Sequence, residues 1–198
     1  MKLVLATQNP KKLKEMNEIL SHLGVEVVSE AELGVRIEVE ETGETFTDNA
    51  RLKATAVMQA TSLPAVADDS GLCVDALNGG PGVYSARFGG EGLDDKGRYT
   101  LLLEMLRGQT DRAAHFHTSI VCAFPNGDEL VCEGKCPGTI AFAPMGEGGF
   151  GYDPVFFVPE LRKTFGQLTA EEKASVSHRG KALRAFAAAL DDYLKGNE

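Results

Sequence analysis

Ala65-Val66-Ala67-Asp68-Asp69-Ser70-Gly71 sets three small apolar residues against two adjacent carboxylates, a hydroxyl and a glycine. A continuous apolar run of this kind reads as a strand buried on both faces, as in the parallel sheet of an α/β protein. In such sheets ligands collect beyond the carboxyl ends of the strands, so the strand is expected to end where the chemistry begins. Two neighbouring aspartates there are costly unless a cation or hydrogen-bond donors compensate them. A hard divalent cation is the obvious compensator, because carboxylate oxygens are its natural ligands. Ser70 adds a donor and an acceptor, and Gly71 lets backbone and ligand approach closely. These residues are also turn formers, so the stretch alone leaves a cation site and a plain turn both open.

Toward the N-terminus the same pattern recurs. Leu3-Val4-Leu5-Ala6 is a second buried strand, followed at once by Thr7-Gln8-Asn9-Pro10-Lys11-Lys12. Asn9 suits a helix cap and Pro10 the first helical position. Leu13, Met16, Leu20 and Leu23 then mark one helical face, closed by Gly24. Lys11 and Lys12 therefore stand in a first helical turn, where cations oppose the helix dipole. A polyphosphate docked at that helix end accounts for them. No G-x-x-x-x-G-K-[ST] pattern occurs, so this is not a Walker loop. Val25 to Val28 reads as a strand, Glu38-Val39-Glu40-Glu41-Thr42-Gly43 as an acidic loop, and Thr45 to Thr61 as a helix with Phe46, Ala50, Ala54, Val57 and Met58 inward.

Toward the C-terminus, Leu72-Cys73-Val74 reads as a further short strand and Leu93 to Leu106 as a helix. Ala114 to Phe124 alternates as a strand, turns through Pro125-Asn126-Gly127-Asp128 and returns from Leu130. Gly146 to Gly151 formally matches G-x-G-x-x-G, but Pro154 and the run Val155 to Val158 make the next element a strand, not a helix. The glycines instead form a loop presenting Phe150, Gly151, Tyr152 and Asp153. Phe150 can stack on a base, and Asp153 can accept from ring nitrogens. Thr169-Ala170-Glu171-Glu172 is a capping box with Lys173 in the same turn. Ser177-His178-Arg179-Gly180-Lys181 opens a last helix striped by Leu183, Phe186, Ala187, Leu190 and Leu194. Cations again crowd a helix start.

Composition narrows the class. The 198 residues carry a net charge of −9, which argues against coating a nucleic-acid polymer yet leaves room for a local nucleotide pocket. Cys73, Cys122, Cys132 and Cys136 lie in apolar or strand-like contexts without zinc-ligand spacing. No apolar run approaches membrane-spanning length, and Met1 to Ala6 is too short for a signal region, so a cytoplasmic protein without a membrane partner is expected.

A nucleoside triphosphate with Mg2+ meets all of these features: lysines at helix starts for phosphates, carboxylates for the metal, and an aromatic ring beside polar groups for the base. Attack by an activated water is the economical chemistry, since no G-x-S-x-G elbow is present. A nucleotide-binding regulator would keep the lysines and Phe150 but has little use for the aspartate pair. A pyrophosphohydrolase of pyrimidine or methylated nucleotides would keep the phosphate half and change the base half.

Six motifs, Ala6 to Lys12, Glu40-Glu41-Thr42-Gly43 with Asn49-Ala50, Ala67 to Leu72, Pro81 to Arg87, Gly149 to Pro154, and Ser177 to Gly180, run nearly end to end. In this order and spacing they resemble the inosine triphosphate pyrophosphatases, house-cleaning enzymes for non-standard purine nucleotides. Gln8 stands where many members have glycine. The resemblance implies an α/β fold: an elongated mixed sheet flanked by helices, one domain over residues 1–198 with two lobes around a substrate groove. It implies a homodimer and Mg2+-dependent hydrolysis of ITP, dITP and XTP to the monophosphate and pyrophosphate. By the same resemblance Asp69 is the proton acceptor and a metal ligand, with Asp68 and Glu40 or Glu41 as further metal ligands. Thr7, Gln8, Asn9, Pro10, Lys11 and Lys12 would hold the triphosphate, and Ser70, Phe150, Gly151, Tyr152, Asp153, Lys173, His178 and Arg179 would contact substrate.

Overall fold

Local signals set most of the elements, as seen in a computed structural model that describes residues 1–7 and 9–196. Strand β1 (Lys2–Leu5) leads into α1 (Pro10–Leu20), where the Asn9 side chain accepts from the Lys11 N–H at 3.0 Å and Pro10 fills the first turn. Strand β2 (Glu26–Ser29) comes next, then α2 (Phe46–Thr61), capped by Thr45, whose hydroxyl accepts from the Asp48 N–H at 3.1 Å. Strand β3 (Ala65–Val74), α3 (Asp95–Met105), and the hairpin of β4 (Ala113–Ala123) and β5 (Glu129–Ile140) continue the chain. Strands β6 (Phe156–Val158) and β7 (Lys163–Thr164) lead to α4 (Ala170–Val176) and α5 (His178–Gly196).

The strands form one sheet in the order β2-β1-β3-β4-β5-β6-β7. β1 is parallel to both β2 and β3, whereas β6 is antiparallel to β5 and β7. The sheet is therefore mixed and flanked by helices, as expected. Parallel neighbours need crossovers, and α1 and α2 supply them.

The chain divides into two compact units. The first comprises Met1–Asp69, Thr118–Gly134 and the chain from Lys181 onward. Its core shows why β3 reads as apolar throughout. Val66 packs with Met16 and Leu20 of α1 and Leu183 and Phe186 of α5. Ala65 and Ala67, on the other face, pack with Val57, Ala50 and Ala54 of α2. Alanine on both sides lets α2 lie close to the sheet. The second unit comprises Ser70–His117 and Lys135–Gly180. Leu72, Val74, Leu102, Leu106, Phe116, Phe156 and Phe165 form its core. There the Phe116 ring meets Phe156 edge-on at 4.7 Å and stacks on Phe165 at 5.6 Å.

One expectation is corrected. The strand does not stop after Ala67 to restart at Leu72: β3 is a single ten-residue strand that runs through Asp68, Asp69, Ser70 and Gly71. What stops is its neighbour. The register with β1 ends at Leu5↔Val66, so β3 loses that partner just before the aspartates while remaining beside β4. The two-residue strand β7 is not expected from sequence, because it has no apolar run to mark it.

Candidate active site

Because β3 continues, its side chains keep alternating between the two faces of the sheet. Asp68 shares the face of Val66, toward α1, and Asp69 shares the face of Ala65 and Ala67, toward α2. The Lys12 ammonium donates to both Asp68 oxygens, at 3.0 and 2.8 Å, and the Asp68 side chain is only 5% exposed. A buried carboxylate requires such a partner. Asp69 receives a hydrogen bond from the Asn49 side-chain amide to Oδ2 at 3.2 Å, and Lys53 Nζ stands 3.5 Å from Oδ1. Lys53 also pairs with Glu41 Oε1 at 2.7 Å. Burial disfavours the charge on Lys53, yet Asp69 and Glu41 outweigh it and hold the ammonium above its ordinary range.

The turn after β1 adds polar groups to the first unit. The Thr7 hydroxyl accepts from the Asn9 N–H at 3.2 Å. A cavity of about 210 Å³ is lined by Ala6, Thr7, Lys53 and Val57, with Glu30. Pro10 and Lys11 are exposed, whereas Lys12 is turned in toward Asp68. Gln8 lies outside the described residues. Glu40 is exposed, and its neighbour Glu41 is half-buried against Lys53.

The donor set suits Mg2+. Asp68, Asp69, Glu40 and Glu41 offer only hard oxygen ligands, yet among the described residues no three acidic, histidine or cysteine side chains close into a metal cage. Mg2+ is typically held by one or two carboxylates together with waters and substrate phosphates, not by an all-protein cage. An ammonium shared by Glu41 and Asp69 marks a place where positive charge is wanted between them.

The second unit holds the remaining predicted residues. Ser70 lies in β3 and is half-buried. The glycine loop is pinned from several sides. The Phe150 N–H donates to Asp153 Oδ2 at 2.9 Å, and the Gly151 N–H donates to Asp95 Oδ2 at 2.7 Å. The Tyr152 hydroxyl donates to the Ser85 carbonyl at 2.7 Å, and burial pushes that phenol up to about 12. Gly149 has a φ of +79°, and a Cβ there would run into the Asp153 carboxylate. Pinned in this way, the loop leaves the Phe150 ring 76% exposed, with Lys173 Nζ 4.5 Å above it.

Asp153 differs from its expected posture. It is 2% exposed, and its carboxylate accepts from Phe150 N–H and from Lys173 within the protein. Burial pushes its carboxyl upward, with the Lys173 ammonium acting the other way. These contacts shape the loop and pair Asp153 with Lys173. His178 opens α5 with its ring stacked on Phe116 at 4.7 Å, and Ser177 caps that helix by accepting from the Gly180 N–H at 3.0 Å. Arg179 is half-buried beside it.

Asn49 and Lys53 have no role among the sequence expectations. A signal is present: Phe46, Asn49, Ala50, Lys53, Ala54 and Val57 fit the i, i+3, i+4, i+7 spacing of one helical face. Two polar residues thus interrupt a core stripe. Asp95, which anchors Gly151 across 56 residues of chain, leaves no local signal.

Comparison with known proteins finds relatives along nearly the whole chain. A model of the Ham1 family matches residues 3–189. A dITP/XTP pyrophosphatase of Exiguobacterium sp. is 50% identical over 196 residues, 99% of this chain and 100% of that protein. One of Thermus thermophilus is 52% identical over 194 residues, 97% of this chain and 93% of that protein. Among solved structures, the Staphylococcus aureus Ham1 protein superposes with a TM-score of 0.91 at 41% identity, covering 100% of both chains. A HAM1 protein from Coxiella burnetii gives 0.93 at 42% identity, covering 97% of this chain and 99% of that one.

Proposed function

The chain belongs to the Ham1 family, and on that footing we propose that it is a Mg2+-dependent pyrophosphatase hydrolysing dITP, ITP and XTP to the monophosphate and pyrophosphate. Such an activity removes deaminated purines from the nucleotide pool. The observation that carries the reading is Asp69, an acid on a rigid strand held by an amide and an ammonium from α2. The names of the relatives support the substrate class.

In this reading Thr7 to Lys12 and Lys53 bind the triphosphate, and Phe150 stacks on the base with Lys173 on its other face. Asp69, with Glu40 or Glu41, would hold Mg2+, which would supply charge neutralisation at the phosphates, whereas Asp68, expected as a further ligand, stands on the opposite face of β3 with both oxygens taken by Lys12. Asp69 orients a water toward the α-phosphorus and accepts its proton at a carboxylate oxygen. A bond forms from the water oxygen to the α-phosphorus, the α-phosphorus–oxygen bond to the β-phosphate breaks, and pyrophosphate leaves with the electron pair.

Selectivity against adenine is assigned to His178 and Arg179; guanine shares the 6-oxo group, so its exclusion rests on its 2-amino group. Hypoxanthine and xanthine present a 6-oxo acceptor, whereas adenine presents a 6-amino group that meets these donors as a mismatch. The family resemblance further supports one domain with two lobes acting as a homodimer in the cytoplasm. No helix among the described residues is long and apolar enough to cross a membrane.

Pyrophosphate release from dITP, ITP, XTP, dATP and dGTP, with and without Mg2+, tests the proposal. Mg2+-dependent release confined to the inosine and xanthosine substrates is expected. Release from every triphosphate removes the selectivity, and nucleotide binding without release favours a regulator.

A further inference from the structure

The amide of Asn49 touches two parts of the first unit at once. Asn49 sits on α2 and is fully buried. A buried amide is tolerated only when its donor and acceptor are both satisfied. Its Oδ1 accepts from the Gly43 N–H at 2.8 Å, and its Nδ2 donates to Asp69 Oδ2 at 3.2 Å. These partners fix which way the amide points. Turned over, its carbonyl would face a carboxylate and its NH2 an N–H.

Gly43 closes the acidic stretch that carries Glu40 and Glu41. A Cβ on Gly43 would lie 2.7 Å from Asn49 Oδ1 and 2.7 Å from the Asp48 Cβ, so this approach requires glycine. One helical turn later on the same face, Lys53 repeats the connection, pairing with Glu41 and approaching Asp69. Lys53 joins loop and strand through charge, which has little directional preference. Asn49 joins them through two directed hydrogen bonds. The terminal torsion of an aspartate is broad, so an ammonium alone does not hold its carboxylate in one plane.

From this pairing we infer that Asn49 is a positioning residue for the reaction: its amide sets the rotation of the Asp69 carboxylate and ties it in register with the acidic loop. The inference rests on the role proposed for Asp69. Asn49 touches no reacting atom and acts through Asp69 and Gly43. Its loss is therefore expected to fall on turnover more than on binding, because misplacing a reacting group by about 1 Å costs on the order of 100-fold.

Two variants separate this role from a merely structural one. Asn49→Asp keeps an acceptor for the Gly43 N–H but replaces the donor to Asp69 with an oxygen. Gly43→Ala leaves the side chain of Asn49 intact and drives a methyl group against its Oδ1. The measurements are kcat and KM for dITP with Mg2+, together with the affinity for the product dIMP by calorimetry. For both variants kcat is expected to fall about 10- to 100-fold, while KM and dIMP affinity stay within about threefold, a window set well inside one decade. Should Asn49→Asp fail to fold, Gly43→Ala decides alone. A kcat within about twofold of the wild type, or a loss carried by KM and dIMP affinity, overturns the inference while leaving the proposed function intact. A wild-type protein that releases no pyrophosphate from dITP overturns the proposed function first and this inference with it.

Discussion

Asp68 and Asp69 are consecutive residues held by different helices on opposite faces of β3. Asp68 is gripped by Lys12 of α1, and Asp69 by Asn49 and Lys53 of α2. The alternation of a continuous strand makes the division. It separates a carboxylate paired with α1, 5% exposed, from one that is 13% exposed and bonded to two side chains of α2. The two aspartates should therefore fail in different ways.

For Asp69, the expected failure is kinetic. Asp69→Asn retains the shape and loses the base, so nucleotide still binds while kcat falls about 10²- to 10⁴-fold. Kinetics beside calorimetric titration with dITP separates the two quantities. Near-normal turnover would remove Asp69 from its role.

For the Lys12–Asp68 pair, the expected failure includes stability. Lys12→Ala takes the ammonium away from a buried carboxylate, which costs about 3 kcal/mol or somewhat less, because the Lys12 side chain keeps 33% of its exposure. Urea unfolding reads the loss directly. A variant as stable as the wild type would mean that Asp68 is solvated or protonated without its partner.

These contacts also show what a sequence conceals. The cap at Asn9, the proline at the first turn of α1 and the Thr169–Glu172 box are legible because each depends on residues within three positions. The mixed sheet is legible from apolar runs alternating with helical stripes. The face taken by each aspartate is not, because it depends on β3 continuing after β1 has ended. Lys12 meets Asp68 across 56 residues, and Tyr152 meets the Ser85 carbonyl across 67. Asn49 and Lys53 escape a reading of α2 by its apolar residues, since both are polar positions on the same stripe. Asp153 reads as a base-recognition group since its neighbours are loop residues, but burial turns its carboxylate inward.

Helix α4 carries Lys173, and its capping box makes that helix sensitive to acid. Glu172 accepts from Lys163 Nζ at 2.8 Å and from the Thr169 N–H at 2.9 Å, and these bonds lower its pKa from the ordinary 4.5. A depressed folded pKa means the unfolded chain binds the proton more readily. The contribution is therefore present above about pH 4.5 and lost as pH falls through the lowered value. Glu172→Gln should melt below the wild type at neutral pH, with the gap closing in acid. A gap that stays constant across the acid range would contradict this assignment.

Selectivity should track the donors at the start of α5. Arg179→Ala and His178→Ala are expected to lower the dITP-to-dATP ratio of kcat/KM by about 10-fold or more. Competition kinetics with both nucleotides measures the ratio. An unchanged ratio in both variants would move base discrimination elsewhere.

Turnover of dITP with Mg2+ in water enriched in ¹⁸O asks which phosphorus the water attacks. The account predicts that dIMP carries the label and that unlabelled pyrophosphate is the other product. Label in orthophosphate beside dIDP, or in pyrophosphate, would contradict attack at the α-phosphorus and with it the role given to Asp69.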